Sequence, residues 1–452
     1  MATKVIELEL NQPFPDLKEL DLIPKTQFQI LVRKDDQPIG YIWVQPPSKR
    51  FLEEPYLRHE IEKQLFDQLN WVEFERMLGA EAERLTLDGN DQSWPMVTVA
   101  ICSRDRAKSL EYTLESLMRL DYPHDRLEII VVDNAPVDDS TVQVVAKFPQ
   151  IRYVIEPRPG LNWARNRAIR EASGQIVAYT DDDTRVDSLW VRALVRHFAN
   201  PAVMCVTGLV APAELETKAQ ELFERYGGFG RGFELRYYTR NLQEYWPYWL
   251  LAAGNFGTGC NMTFRRSLFD KIGLFDEALD VGTPSSGAGD HDLFYRTLRA
   301  GYILVYEPRA LIWHYHRREL AELRSQLADF GRGVYAFWAK TFLFDRQMRW
   351  PILALAASWY RQWFFKRLFR RRNFSRKLVL AEAVGALQGP VAYLIARRQA
   401  RRIARQFSQE ASIWSTSTTS RAGDRPYMVK AGARSPWWAT DHDNEPGQVS
   451  ES

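Results

Sequence analysis

Three kinds of hydrophobic spacing follow one another along the chain. Phe28, Ile30 and Val32 alternate with their neighbours, Asp35-Asp36-Gln37-Pro38 interrupts, and Ile39, Tyr41 and Trp43 alternate again. Period-two spacing on either side of a turn-forming break predicts a β-hairpin. From Tyr56 to Arg84 the residues Leu57, Ile61, Leu65, Leu69 and Val72 recur three or four apart, the spacing of a helix. Asp88-Gly89-Asn90-Asp91 reads as a linker. Residues 1–93 are therefore expected to form a small α+β domain, whose role the sequence does not reveal.

From Val97 the pattern changes to continuous apolar runs between amphipathic stretches. It predicts strands at Val97–Cys102, Leu127–Asp133, Ile151–Ile155 and Gln175–Thr180, and helices at Ala107–Leu120, Asp139–Phe148 and Asn162–Ala172. Strands apolar on both faces imply a mostly parallel α/β sheet, Rossmann-like, with helices on both sides. The expected domain runs from 95 to 335, and ligands of such sheets bind beyond the carboxyl ends of the strands.

Beyond it, residues 336–406 are basic and aromatic. Arg361 to Gln406 holds thirteen Lys or Arg against one acid, Glu382, interleaved with Trp363, Phe364, Phe365, Leu368 and Phe369. Each basic residue near an anionic leaflet is worth roughly 1 kcal/mol, and aromatic rings suit the headgroup level. The apolar run Leu378–Ala396 contains Glu382, Gln388 and Pro390, which makes it marginal against the roughly twenty apolar residues of a span. A helix lying on the membrane or packing on the preceding domain is the expectation; a solvated basic helix is the alternative. Residues 407–452, rich in Ser, Thr, Gly and charge, are expected to be disordered.

Composition adds little to this. Hydrophobic residues make up 45% and charged residues 26% of 452, ordinary for a soluble globular protein. A net charge of +3 does not point to nucleic acid. Cys102, Cys205 and Cys260 lack any metal-ligand spacing and read as reduced core residues. Met1–Leu10 carries acids and lacks a basic segment followed by an apolar one, so no secretory signal is expected and a cytoplasmic location follows.

Candidate chemistry lies at the strand ends. Val131-Val132-Asp133-Asn134 places a carboxylate where the second strand stops, and Thr180-Asp181-Asp182-Asp183 places three where the fourth stops. Such acids could simply solvate a loop or cap a helix. Crowded carboxylates repel one another, however, and a hard divalent cation prefers oxygen ligands. Held by Asp181 and Asp183, a cation could neutralise a departing diphosphate.

In this order these segments resemble the family-2 glycosyltransferases, which have the GT-A fold. Val97–Arg106 resembles the family's opening strand and loop, with Ser103 and Asp105 beside the nucleotide, and Leu127–Asn134 its second strand, whose terminal Asp133 contacts the base. Pro157-Arg158-Pro159-Gly160-Leu161 with Ala164-Arg165-Asn166 is similar to the loop and helix next to the nucleotide, implicating Arg158 and Arg165. Asp181-Asp182-Asp183 matches the motif for metal and ribose, with Asp181 and Asp183 on the metal and Asp181 and Asp182 on the donor. Gly257–Arg266 and Ile272–Glu277 resemble the segments preceding the catalytic loop. That loop, Gly287-Ala288-Gly289-Asp290-His291-Asp292-Leu293, resembles Glu-Asp-X-Asp-Leu, which makes Asp290 the general base and Asp292 a supporting or acceptor-binding acid. Gly289 stands where many relatives carry Glu, a departure that bears on acceptor recognition.

The resemblance covers residues 95 to 320. It implies transfer of a sugar, with inversion, from a nucleoside-diphosphate sugar to a hydroxyl of a lipid or glycan acceptor, with Mn²⁺ or Mg²⁺. A base is required because a sugar hydroxyl is a poor nucleophile until its proton is being removed. Asp290 could equally cap the helix that begins near Asp292. In Trp313-His314-Tyr315-His316 the two histidines, on an extended segment, are expected to point to opposite sides, and His314 is the candidate third metal ligand. Arg317 and Arg318 could meet phosphate or form a solvated basic pair. Tyr226–Phe233, rich in glycine, is either a mobile flap or a tight loop. The alternatives are a sugar-1-phosphate nucleotidyltransferase, against which Ser103-Arg104-Asp105-Arg106 lacks glycine, and a catalytically silent binding or scaffold protein.

Overall fold

A computed structural model describes residues 3–17, 27–45, 52–77, 94–240, 248–369 and 375–417. The linker expected at 88–91, the end of the helix expected to reach Arg84 and most of the tail expected at 407–452 lie outside the described residues.

At the start of the chain, β1 (Thr3–Glu9) pairs parallel with β2 (Gln27–Lys34), which pairs antiparallel with β3 (Gln37–Val44). Asp35 and Asp36 turn this hairpin with φ of +52° and +60°, the left-handed geometry of a tight hairpin turn, which Asp tolerates. The helical pattern that follows forms two helices, Glu54–Gln64 and Phe66–Met77. Phe28, Ile30, Val32, Leu57 and Ile61 meet in one core. This unit is pinned to the rest through buried Arg33, whose Nη1 donates to Glu7 (2.7 Å) and to Asp187 (2.6 Å).

The main sheet contains β4 (Val97–Ser103), β5 (Leu127–Asn134), β6 (Ile151–Glu156), β7 (Ile176–Asp181), β8 (Thr184–Val186), β9 (Val203–Pro212), β10 (Arg236–Tyr238), β11 (Asn261–Arg265) and β12 (Ile303–His314). Its order is β10-β12-β9-β11-β7-β4-β5-β6, with β8 beside β12. From β7 to β6 all neighbours are parallel, while β11 runs antiparallel to both β7 and β9. Successive residues of a strand face opposite sides: Val99 and Ile101 join a core with Leu110, Leu114 and Trp190, and Ala100 joins another with Ala164, Ala168 and Phe264. The fold is α/β with helices on both faces of a central sheet. Register aligns Ser103 with Asp133, and Cys102 with Asp181. The ends of three adjacent parallel strands therefore deliver their polar residues to one rim.

Helix Leu320–Phe344 crosses behind the loop that precedes helix Gly289–Arg299, and Arg376–Ser417 runs alongside it in the same direction. Approach is close enough to exclude side chains: a Cβ on Gly385 would fall 1.8 Å from the Ala328 carbonyl oxygen. By length and composition Arg376–Ser408 could cross a membrane, yet half of its apolar window is buried inside the protein.

Candidate active site

The rim begins with Ser103, whose Oγ donates to Asp182 Oδ2 at 2.7 Å. Arg106 adds its Nη1 to Asp182 Oδ1 (2.7 Å) and to Asp183 Oδ2 (2.9 Å). Asp182 is thus an anchor inside the rim. Asp133, fully buried, accepts from the Tyr153 hydroxyl through Oδ2 (2.7 Å), while Oδ1 is buried without a hydrogen-bond partner among the described residues. Burial, and secondarily Asp105, pushes its carboxyl up. Asp105 takes φ +54° and accepts from the Val137 amide (3.2 Å). Arg158 forks onto Glu156, at 2.6 and 2.7 Å, and its guanidinium lies 4.2 Å from the Trp163 ring.

Below this rim, Asp181, Cys260 and His314 bring one potential ligand atom each within 4.8 Å of one another. His314 Nε2 is also 3.2 Å from Asp183 Oδ1. Burial and then Asp183 push the Asp181 carboxyl up to about 7. Burial opposes ionisation of Asp183 too, but His314, Arg106 and Arg317 hold its carboxyl below the ordinary range. Burial pushes the His314 imidazole down to about 4, so it is neutral near pH 7. Two carboxylates, one reluctant to ionise, beside a neutral imidazole whose Nδ1 is buried without a partner among the described residues suit a divalent cation by donor chemistry. Burial holds the Cys260 thiol well above its ordinary pKa, so it remains a neutral neighbour.

His314 and His316 do not point apart. Their rings stack at 5.7 Å, because β12 ends at His314 and strand alternation ends with it. His316 turns to Glu224 (2.8 Å), which leaves His314 alone beside Asp183. Phe229 of the glycine-rich segment packs on both rings, and Arg231 ties that loop to the carbonyls of Gly228, Gly230 and Gly254. Arg318 pairs with Glu214 and Glu216.

Opposite the acids lies the segment 275–292. Asp280, Ser286 and Ala288 hold left-handed backbone at φ of +82°, +62° and +70°, geometry that non-glycine residues keep only when surrounding contacts enforce it. Asn162 Nδ2 donates to the carbonyls of Asp276 (2.9 Å) and Leu279 (3.3 Å), and Asn166 exchanges hydrogen bonds with the backbone of Phe275. Buried Lys340 joins Asp276 and Asp292, each at 2.8 Å. Asp292 also receives Arg296 Nε at 2.8 Å, so both of its oxygens are engaged in the interior.

Asp290 is different. It sits in the first turn of its helix with Oδ1 on the His291 amide (2.9 Å), and its Oδ2 faces Gly259. A Cβ on Gly259 would lie 3.3 Å from Asp290 Oδ2 and 2.8 Å from Arg165 Nη2. Arg165, buried, pairs with Asp280. Burial disfavours its charge, but Asp280, Asp181 and Asp290 outweigh that and raise its pKa. At Gly289 a Cβ would fall 2.4 Å from Asn162 Nδ2 and 2.5 Å from Asp280 Oδ2. The space a glutamate would need is already filled by Asp280.

Of the residues singled out in the sequence, Ser103, Asp133, Asp181, Asp182, Asp183 and His314 gather along the strand ends, with Arg165 and Asp290 facing them. Asp105 lies on the outer lip, Arg158 is held by Glu156, and Asp292 points inward. Arg106, Asn162, Asp280 and Lys340 were not among the candidate site residues, and Cys260 was read as a core residue. Only Arg106 had a signal in the sequence, its place in the loop after β4; the others reach the site through tertiary packing.

The site is thus an α/β sheet with acids at its strand ends and a further acid across the cleft. Residues 98–273 match the model of glycosyl transferase family 2. Among its relatives are a probable glycosyltransferase, YdaM, of Bacillus subtilis, 25% identical over 298 residues (60% of this chain, 65% of that protein), and the pre-mycofactocin glycosyltransferase of Mycobacterium tuberculosis, 27% identical over 267 residues (56% and 52%). The chain thus spans about half to two thirds of the length of these relatives. A mannosyltransferase from Pyrobaculum calidifontis, solved with GDP-Man and Mn²⁺, superposes with a TM-score of 0.46 at 18% identity, covering 66% of this chain and 88% of that one.

Proposed function

We propose that this chain transfers a sugar from a nucleoside-diphosphate sugar to a hydroxyl of a lipid-linked or glycan acceptor, inverting the anomeric carbon, at the cytoplasmic surface of a membrane. One observation carries the reading. The dipeptide Gly259-Cys260 touches both halves of the site, with Gly259 against Asp290 and Arg165 and Cys260 against Asp181 and His314. A carboxylate open to the cleft and a cation-binding set therefore stand on the two sides that a direct displacement requires.

Asp133 Oδ1, buried and unpaired, awaits a donor hydrogen bond from the nucleotide base, with Ser103 and Asp105 beside it. Asp181, Asp183 and His314 would hold Mn²⁺ or Mg²⁺, which supplies charge neutralisation to the leaving diphosphate. Arg165 keeps a fixed positive charge between donor and acceptor sides. Asp290 takes the proton of the acceptor hydroxyl as its oxygen bonds to the anomeric carbon and the bond from that carbon to the phosphate oxygen breaks, its electron pair leaving with the nucleoside diphosphate. Asp292, locked by Lys340 and Arg296, supports the turn that presents Asp290.

The test is nucleoside-diphosphate release from a panel of sugar nucleotides with Mn²⁺ or Mg²⁺ and a membrane-lipid extract, comparing wild type with Asp290→Asn. Metal-dependent release from one donor, lowered at least about a hundredfold in the variant, is expected. Equal release would move the base elsewhere, and no release from any donor would favour a silent binding protein.

A further inference from the structure

Resting on that membrane-surface reading, we propose that one face of the helix Arg376–Ser417 is an interfacial docking face for an anionic bilayer, with the helix lying in the headgroup plane and not crossing it. The face is set by helical spacing. Leu380, Val384, Leu387, Val391, Leu394 and Ile395 recur three, four or seven apart, and each is 46–69% exposed. On the opposite side of the helix Val379, Ala386 and Tyr393 are buried, while Gln388 and Pro390 are exposed beside the stripe.

Basic residues continue the same stripe at both ends. Arg376 and Lys377 precede it, and Arg398, Arg402 and Arg405 follow it at the same spacing, all exposed. Arg398, Arg401, Arg402 and Arg405 line one open cleft. The apolar stretch is roughly 22 Å long at 1.5 Å per residue, bracketed by cations. That pattern is complementary to acyl chains flanked by anionic headgroups. Phe365 and Phe369, 47% and 71% exposed, lie on a short helix packed beside the start of the stripe, where aromatic rings suit the interface.

The other side of the helix argues against a span. Gly331, Gly385 and Gly389 bring it against Leu320–Phe344 so closely that no side chain fits between, and Tyr393 donates to Asp276 at 3.2 Å. The docking face also adjoins the catalytic loop. Arg332 reaches Gln388, at the margin of the face, and Ser286, four residues before Asp290. A bilayer on this face would lie beside the acceptor side of the cleft.

The test uses the full chain in flotation with vesicles of phosphatidylcholine alone or mixed with phosphatidylglycerol. Wild type should float with the mixed vesicles, lose most binding at high salt, and bind phosphatidylcholine at least tenfold more weakly. Leu387→Asp with Val391→Asp should reduce flotation at least tenfold, with the circular-dichroism spectrum unchanged. Failure of wild type to float, or equal flotation of the variant, overturns the proposal. So does a dimer in light scattering that the variant abolishes, which would assign the face to a second copy, or resistance of membrane-bound protein to alkaline carbonate, which would assign a span. Nucleoside-diphosphate release in detergent separates the two readings: a variant that no longer floats but still releases product leaves the transferase intact.

Discussion

The two sides of the cleft are built differently. Asp133 and Asp181 end strands whose register is fixed by backbone hydrogen bonds to their neighbours. Asp290 follows a loop with three non-glycine residues in left-handed backbone, held by Asn162, Lys340 and Tyr393 from distant parts of the chain. On the strand side, Asp181 is placed by backbone register, so its replacement is expected to change the site's charge more than the fold. On the loop side, the same contacts that place the proposed base also hold the fold, so activity and stability are expected to change together.

Asp181→Ala should give the largest effect and the cleanest separation. Losing this proposed ligand of the cation is expected to lower turnover about a thousandfold, equivalent to roughly 4 kcal/mol. Thermal melting should stay level or rise, since a like-charge neighbour of Asp183 is gone. A large drop in Tm would break the comparison. Lys340→Met, on the other side, leaves Asp276 and Asp292 without their shared cation. Breaking such buried pairs costs about 3–5 kcal/mol, read by urea unfolding, and product release should fall with it.

Gly289→Ala sharpens the contrast on a smaller scale. Its methyl would press on Asn162 and Asp280, with an expected loss of about 1–3 kcal/mol and weaker turnover, while titration with nucleoside diphosphate shows unchanged donor binding. Unchanged stability would mean that Asp280 can yield.

The smallest effect is a change of slope. Burial pushes the Glu382 carboxyl up to about 7 from an ordinary 4.5, despite the Tyr226 hydroxyl it accepts. Between those values the unfolded chain ionises while the folded chain keeps its proton. Stability therefore falls as pH rises through that window. Glu382→Gln should shrink the difference in Tm between pH 5 and pH 8 by roughly 2–4 °C.

Asp290 and Asp292 show how far the sequence reaches. Two positions on a helix differ by about 200°, so one had to face the cleft if the other faced inward. Which was which depended on Lys340, forty-eight residues beyond Asp292 in the chain and buried between Asp292 and Asp276. His314 and His316 make the complementary point. Period-two alternation holds only while the strand continues, and β12 stops at His314.

Sequence alone was sufficient for the α/β layering, the strand ends that carry acids, and the resemblance of residues 98–273 to a family model, because each depends on spacing within a few consecutive residues. Tertiary structure decided the rest. Cys260 beside Asp181, Asp280 in the space over Gly289, and the exposed stripe on the last helix all depend on which distant surfaces meet. No local period records that.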